Sequence, residues 1–412
     1  MGKGREFRSF TPTLVLLLLA VLINYVDRGN LALAAPLLKS EWGLSASQLG
    51  VLFSAFFWSY MTLQFVVGWL VDRWNVNLVM ALGFLVWSLS TAATALATGF
   101  AALLLMRLLL GVGESVMFPA SSKICAQHLP EHRRGFANAL IIAAIRWGSA
   151  VGTFGGGLIM ARYGWRNTFL YLGVAGLLWL PAWYRWKPGP PAIPEKIASG
   201  IPSVVAVLSQ PSFWGAATGH FCANYLLYFL ISWLPYYLVH ERHLSMTSMA
   251  GTAGMLYAID SFSAIAAGWI ADRKIRNGGN PAVVRKTTMA LGFAVAAVSL
   301  LTLAYSGPST YLWCLVAIGT GSGIGNSASF AVAQTLAGPR AAGRWTGLQN
   351  GVANLSGIAG PPLTGLLVDW TGHFDAALTI AAMMAVVGGL AWIFGVRKLE
   401  QVQWPATPTA LV

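Results

Sequence analysis

The chain has 412 residues, 56% of them hydrophobic and only 9% charged, with a mean hydropathy of +0.64 and a formal net charge of +13. Soluble chains devote about a quarter of their residues to charge, so this one could not cover a water-facing surface of its size, and a soluble enzyme or binding domain is excluded. The basic balance would suit nucleic acid, but the placement of the charges gives it another meaning.

A bilayer span takes about 20 mostly apolar residues. On that criterion the sequence predicts an all-α membrane protein of about twelve spans, over residues 11–36, 46–71, 77–97, 100–126, 135–161, 166–186, 211–240, 246–272, 285–305, 309–337, 343–370 and 375–396. The basic stretch Met1–Phe10 and the apolar run after it lack a small-residue cleavage site, so they read as a retained first span rather than a leader. Between the spans, about 18 Lys and Arg fall on the N-terminal side and about 4 on the other. By the positive-inside rule both termini are expected in the cytoplasm, and the basic balance calls for no nucleic-acid partner. The only Asn-x-Ser/Thr triplet, Asn354-Leu355-Ser356, falls inside a predicted span and the loop after the first span is short, which suits a bacterial inner membrane.

Gly68-Trp69-Leu70-Val71-Asp72-Arg73 closes the second span, and Gly268-Trp269-Ile270-Ala271-Asp272-Arg273 closes the eighth. A repeat at half the chain length predicts two parallel bundles, 1–186 and 211–412, joined by a polar linker over 187–210. Parallel repeats place substrate near the midplane between the halves, which rock around it.

Charge inside a bilayer costs at least about 2.5–3.5 kcal/mol and marks functional candidates. Asp27, Arg28, Arg107, Glu114, Arg146 and Asp260 stand near the middle of predicted spans. Asp27 and Arg28 point about 100° apart on a helix, so they need not be partners. They read either as a structural ion pair of the bundle or as a proton site and its tuner. Arg107 and Glu114, two turns apart, share a face but lie about 10.5 Å apart along the axis. Glu114 reads as a coupling carboxylate or as a structural partner, with burial and a neighbouring arginine acting on it in opposite senses. Arg146 has no acidic residue nearby in its own span, and its planar fork suits a carboxylate ligand; the alternative is a charge partner for Asp27 or Glu114. Asp260 could pair with an arginine, bind hydroxyls or face water.

Tyr25, Tyr60, Asn224, Tyr228, Asn326, Gln349 and Asn350 supply hydrogen-bonding groups within apolar spans. Such groups bind hydroxylated substrates, and they also join helices for about 0.6 kcal/mol each. Gly155-Gly156-Gly157 and Gly360-Pro361-Pro362 read as packing or gating elements. His220 reads as a packing histidine. Cys125, Cys222 and Cys314 have no paired spacing, and no metal-ligand cluster is present, so neither a metal nor a cofactor beyond a coupling proton is expected. No phosphate-binding Gly-x-x-x-x-Gly-Lys-Ser/Thr loop occurs, which argues against ATP drive.

Several segments resemble a known family. Gly-Trp-x-x-Asp-Arg is similar to the signature of the major facilitator superfamily. Asn24–Leu31, Ser54–Tyr60, Arg107–Glu114, Pro119-Ala-Ser-Ser, Leu348–Gly351 and Gly360–Pro362 resemble the anion:cation symporters within it. That family includes bacterial galactonate, glucarate and hexuronate carriers and eukaryotic sialic-acid and glutamate carriers. The resemblance covers both halves. It implies a monomeric secondary transporter that carries a small organic anion with protons. Asp27 and Glu114 are then the coupling carboxylates, and Tyr25, Arg28, Tyr60, Arg107, Arg146, Tyr228, Asn326 and Asn350 the substrate ligands. Asn224 and Gln349 are further candidates that rest on spacing alone, and Asp260 is one that rests on its charge and matches no motif of the family. One departure stands out: Asp72-Arg73 is followed by Trp74-Asn75-Val76-Asn77, where the family has glycine and a further basic residue, and a charge latch there is expected to be weaker. An exporter of the same fold is the runner-up, although three central arginines oppose a cationic cargo. A membrane enzyme or receptor comes last, since no nucleophile with its base is evident.

Overall fold

The computed structural model describes residues 3–128, 131–189, 202–305, 307 and 309–404. The side chains at 3–9, 64, 65, 68, 69, 72, 73, 126, 131–136, 138, 139, 142, 334, 339, 340, 342 and 343 are outside that description. The first repeat copy is therefore described only in part, since its Gly68, Trp69, Asp72 and Arg73 side chains lie outside the described residues, as does 190–201 of the expected linker.

The described residues are helical, without a strand. In order they form α1 (Lys3–Trp42), α2 (Ala46–Arg73), α3 (Val76–Thr94), α4 (Phe100–Glu114), α5 (Met117–His128), α6 (Glu131–Val151), α7 (Gly157–Leu177), α8 (Trp179–Trp186), α9 (Val204–Leu208), α10 (Pro211–His240), α11 (Met246–Arg276), α12 (Pro281–Tyr305), α13 (Tyr311–Asn326), α14 (Ser329–Thr371) and α15 (Asp375–Leu390). Wider π-type turns follow α6 at Gly152–Gly156 and α15 at Ala391–Gly395. Eight stretches among the described residues are long and apolar enough to cross a membrane, α4 and most of α5 counting as one of them.

Local chemistry sets the boundaries. Ser45 and Gln48 form a capping box at the start of α2. Asn75 caps α3 by accepting from the amides of Asn77 and Leu78. Asn77 donates to the Pro188 carbonyl at 2.9 Å, and its own carbonyl accepts from the Trp183 indole at 3.1 Å. The two asparagines that depart from the family pattern thus start α3 and tie it to the end of α8. Gly164 (φ 77°) and Gly338 (φ 65°) turn the chain inside α7 and α14. Both take the left-handed conformation that a side chain disfavours, and both fall where the sequence predicts a loop between spans.

The fourth and tenth predicted spans break in the same way. Ser115 donates its hydroxyl back to the Val112 carbonyl at 2.7 Å, and Ser327 donates to Ile324 at 2.8 Å. Back-bonding serines bend helices. In the first case Pro119 also removes the N–H that would reach the Ser115 carbonyl. Glu114 consequently sits on the last turn before a break.

The chain divides into two compact units. The first comprises Met1–Glu195, Ile231–Tyr257 and Pro361–Gly372. In it α2 and α3 pack on α4, α3 on α7, and α1 on α6. Gly83 and Gly113 face each other across α3 and α4, where a Cβ on Gly113 would stand 2.5 Å from the Trp87 amide nitrogen. Phe84, Trp179 and Trp183 stack at 4.1 and 4.8 Å, and the two indole N–H groups donate to the Leu16 and Asn77 carbonyls. The second unit comprises Lys196–Leu230, Ala258–Gly360 and His373–Val412. There α12 lies between α13 and α15, with Gly292 against Gly321 and Gly325.

The polarity is inverted relative to a soluble protein. Asn24, Asp27, Arg28, Asn30, Arg107 and Glu114 are buried. Leucine, valine and phenylalanine line the outer faces, and Tyr184, Trp313 and Trp370 are each more than 70% exposed near helix ends. Apolar exteriors with aromatic ends are what a bilayer selects.

Candidate functional site

The charged candidates of the first unit converge. Arg28 lies two-thirds of the way along α1, and its Nε donates to Oε2 of Glu114 on α4 at 2.8 Å. Both side chains are buried. Arg28 thus pairs with Glu114 on another helix. The guanidinium carbon stands 4.7 Å from the Tyr25 ring centroid, 4.8 Å from Phe56 and 4.7 Å from Tyr60. Three aromatic faces thus cage one cation, an arrangement that strengthens when water is excluded.

Arg107 approaches the same Phe56 ring, its guanidinium carbon 5.3 Å from the centroid, and its Nε donates to the Leu52 carbonyl at 3.3 Å. Two arginines therefore share one phenylalanine, with the Glu114 carboxylate in electrostatic reach of both. Asp27 is buried, accepts from the Asn30 amide at 3.3 Å and has Thr91 beside it. Asn24, also buried, stands beside Glu114. Arg146 on α6 is half-buried and interacts electrostatically with Tyr25.

Small residues bring these helices close enough for the side chains to meet. Gly111 lies against the Phe56 carbonyl and the Ser59 hydroxyl, so α4 rests on the backbone of α2. A Cβ on Gly148 would come within 2.7 Å of the Leu22 carbonyl, and one on Gly152 within 2.8 Å of Val26 Cα, which holds α6 against α1. Close approach through glycine is a general device of membrane helices.

The second unit holds Asp260 and the remaining uncharged candidates, Asn224, Tyr228, Asn326, Gln349 and Asn350. Tyr228 on α10 donates its hydroxyl to Oδ1 of Asn354 at 2.5 Å, and the Asn354 amide donates to the Asn350 carbonyl at 2.8 Å. Asn354, buried and central to this group, is not singled out by the sequence as a site residue. Asn326 accepts from Ser329 at 2.8 Å across the α13–α14 break. Gln349 is engaged at both ends of its amide: Trp345 donates to Oε1 at 3.0 Å, and Nε2 reaches Nδ1 of His220 at 3.3 Å. The indole orients the amide, the amide makes Nδ1 an acceptor, and the imidazole proton is left on Nε2. Asp260 and Asn224 are buried, Asp260 with its backbone carbonyl against Gly323.

The sequence profile of the Major Facilitator Superfamily matches residues 17–359 and 282–410. The chain belongs to that superfamily. It is 31% identical to a hexuronate transporter of Bacillus subtilis (strain 168), over 94% of this chain and 95% of that one. It is 27% identical to a probable galactarate/D-glucarate transporter of the same organism, over 97% and 94%. A probable sulfoacetate transporter of Cupriavidus necator is 26% identical, over 90% of each chain. The fold matches a crystal structure of a bacterial homolog to the human lysosomal transporter Spinster, with a TM-score of 0.80 at 18% identity, covering 93% of this chain and 96% of that one. The chain is thus a multi-pass membrane transport protein of a superfamily in which relatives similar to it are named as anion and organic-acid transporters, and it is not an enzyme.

Proposed function

We propose that this protein is a proton-coupled symporter of a small organic anion, working by alternating access through two halves of six spans in a bacterial inner membrane with both termini cytoplasmic. The observation that carries the reading is the caged Arg28–Glu114 pair. A buried arginine already holding a carboxylate is a ready receptor for the carboxylate of a substrate, and Glu114 is then its competitor.

Charge counting gives the coupling. Arg28, Arg107 and Arg146 against Asp27 and Glu114 leave a formal +1 when both acids are ionised and +3 when both are protonated. Proton and anion then favour each other's binding, and the coupling is reciprocal. On release to the more alkaline cytoplasm the acids ionise, Glu114 takes back Arg28, and the carrier resets. In this reading Tyr25, Tyr60 and Arg146 take the acidic group of the substrate, and Tyr228, Asn326 and Asn350 are candidates for its hydroxyls. The relatives' names support a cargo class of hexuronates and aldarates first, with sulfonated short acids next. The test is uptake into proteoliposomes under an imposed pH gradient, with a hexuronate, galactarate and sulfoacetate in parallel. Accumulation of at least one only when the outside is acidic is the expected result, and uptake indifferent to the gradient would remove the proton from the mechanism.

A further inference from the structure

At the end of α1 opposite the chain's N-terminus, segments from the two halves of the sequence meet inside the first unit. Lys39, in the last turn of α1, donates to the Tyr236 hydroxyl of α10 at 2.6 Å, its ammonium 5.1 Å from that ring's centroid. A Cβ on Gly254 of α11 would stand 2.9 Å from Phe154 Cβ, and Gly157 lies against Ala250. Gly50 of α2 sits so close to α14 that a Cβ there would be 2.9 Å from Pro362 Cα, and Gly365 lies against Ala46 and Ser47. Phe53 meets Trp233 edge-on at 5.3 Å. Glycines line four of these approaches, with α2 and α14 meeting backbone to backbone at Gly50 and Gly365, while Lys39–Tyr236 and Phe53–Trp233 are the side-chain contacts of the seam.

One exposed residue adds a directional bond. Asp369, near the end of α14, accepts from the Ala46 amide through Oδ1 at 2.9 Å and from the Ser47 amide through Oδ2 at 2.8 Å, and Oδ2 also accepts the Ser47 hydroxyl. Ala46 and Ser47 open α2, where amides have no partner within the helix and the dipole is positive. The carboxylate therefore caps a helix belonging to the other half of the sequence. Both groups can rehydrate if they part, because Asp369 and Ser47 lie at the surface of the unit.

We propose that Asp369 is the releasable clasp of an outer gate. It latches α14 onto the start of α2 whenever the outer face is closed, and it lets go when that face opens to admit substrate. The proposal rests on the alternating-access reading above. A clasp made of hydratable hydrogen bonds over a seam of small residues suits a contact that must be made and broken in every cycle. A permanent structural tie would instead bury its carboxylate.

The test uses the full chain in lipid nanodiscs, with spin labels at the exposed Ser40→Cys and Thr247→Cys positions, one on each side of the seam. Asp369→Ala is expected to raise the population at long separation on the order of tenfold, since it removes two charge-assisted amide bonds. Asp369→Asn, which keeps one carbonyl acceptor, and Ser47→Ala, which keeps the amides, are expected to shift it less. They carry the test if Asp369→Ala fails to fold. Gly365→Leu, a wedge against Ala46, is expected to open the face by itself. Separation in Gly365→Leu with none in the Asp369 variants would overturn the clasp and leave alternating access standing. No separation in any variant would overturn both the clasp and the rocking of this face.

Discussion

Nε of Arg28 and Oε2 of Glu114 meet at 2.8 Å across 86 positions of sequence, one on α1 and the other at the last turn of α4 before its break. The pair is buried, and its cation is walled by Tyr25, Phe56 and Tyr60. Removing one member of a buried pair leaves an uncompensated charge, at a cost of about 3–5 kcal/mol. A neutral isostere keeps the hydrogen bond and removes only the counter-charge, so it costs less than truncation.

Glu114→Gln and Asp27→Asn therefore imitate the protonated carrier. Both variants are expected to fold, to bind substrate and to support exchange of labelled for unlabelled anion within a few-fold of the parent, while accumulation under a pH gradient falls to the equilibrium level. Counterflow and gradient-driven uptake in the same proteoliposomes separate the two activities. If both variants accumulate as the parent does, the proton sites lie elsewhere and Asp260 is the next to replace.

Arg146 stands on α6 near Tyr25, outside the Arg28–Glu114 pair. Loss of a charged hydrogen-bond partner at a binding site costs about 2–5 kcal/mol. Arg146→Ala is expected to weaken anion binding by at least about tenfold, at 1.4 kcal/mol per decade. Arg146→Lys restores the charge without the fork and is expected to recover only part of the loss. Titration calorimetry on the purified variants checks this, and an unchanged affinity in Arg146→Ala assigns the residue to structure.

The aromatic cage makes a separate prediction. Tyr60→Phe keeps a ring face over Arg28, whereas Tyr60→Leu removes it, and a desolvated cation–π contact contributes about 0.5–2 kcal/mol. Tyr60→Phe is expected to leave the thermal unfolding midpoint unchanged and Tyr60→Leu to lower it by several degrees. Equal midpoints for the two would show that the ring is not what holds the guanidinium.

Much of this candidate site is legible in the sequence. Asp27, Arg28, Arg107 and Glu114 announce themselves because an ionisable group within an apolar run must have a reason to be there, and the family resemblance assigned them roles. Pairing was not legible, since helical spacing fixes which residues of one span share a face but not which face meets another span. The glycines at 111, 148 and 152 set those meetings, and nothing in their local sequence marks which span each one faces. Asp369 looks like an ordinary solvated charge at a helix end, and its partner lies 322 positions away. Asn354 read as part of an Asn-x-Ser triplet inside a helix, with nothing local to reveal that Tyr228 lies opposite.

That last contact yields a prediction of its own. Asn354 joins α10 to α14 through Tyr228 and bonds to the Asn350 carbonyl one turn back. Asn354→Ala leaves the Tyr228 hydroxyl without this acceptor in a buried setting, at about 1–3 kcal/mol, so it is expected to destabilise the protein. Tyr228→Phe strands only the Asn354 oxygen, and the double variant removes both partners and is expected to cost less than the two singles added together. If Tyr228 and Asn354 also meet substrate hydroxyls, Tyr228→Phe should discriminate between cargoes. It should weaken binding of a polyhydroxylated acid such as a hexuronate and leave a short acid without hydroxyls, such as sulfoacetate, nearly untouched. Thermal shifts of the parent and the three variants with each ligand measure both effects at once. Equal losses for the two ligands would confine this pair to holding α10 and α14 together.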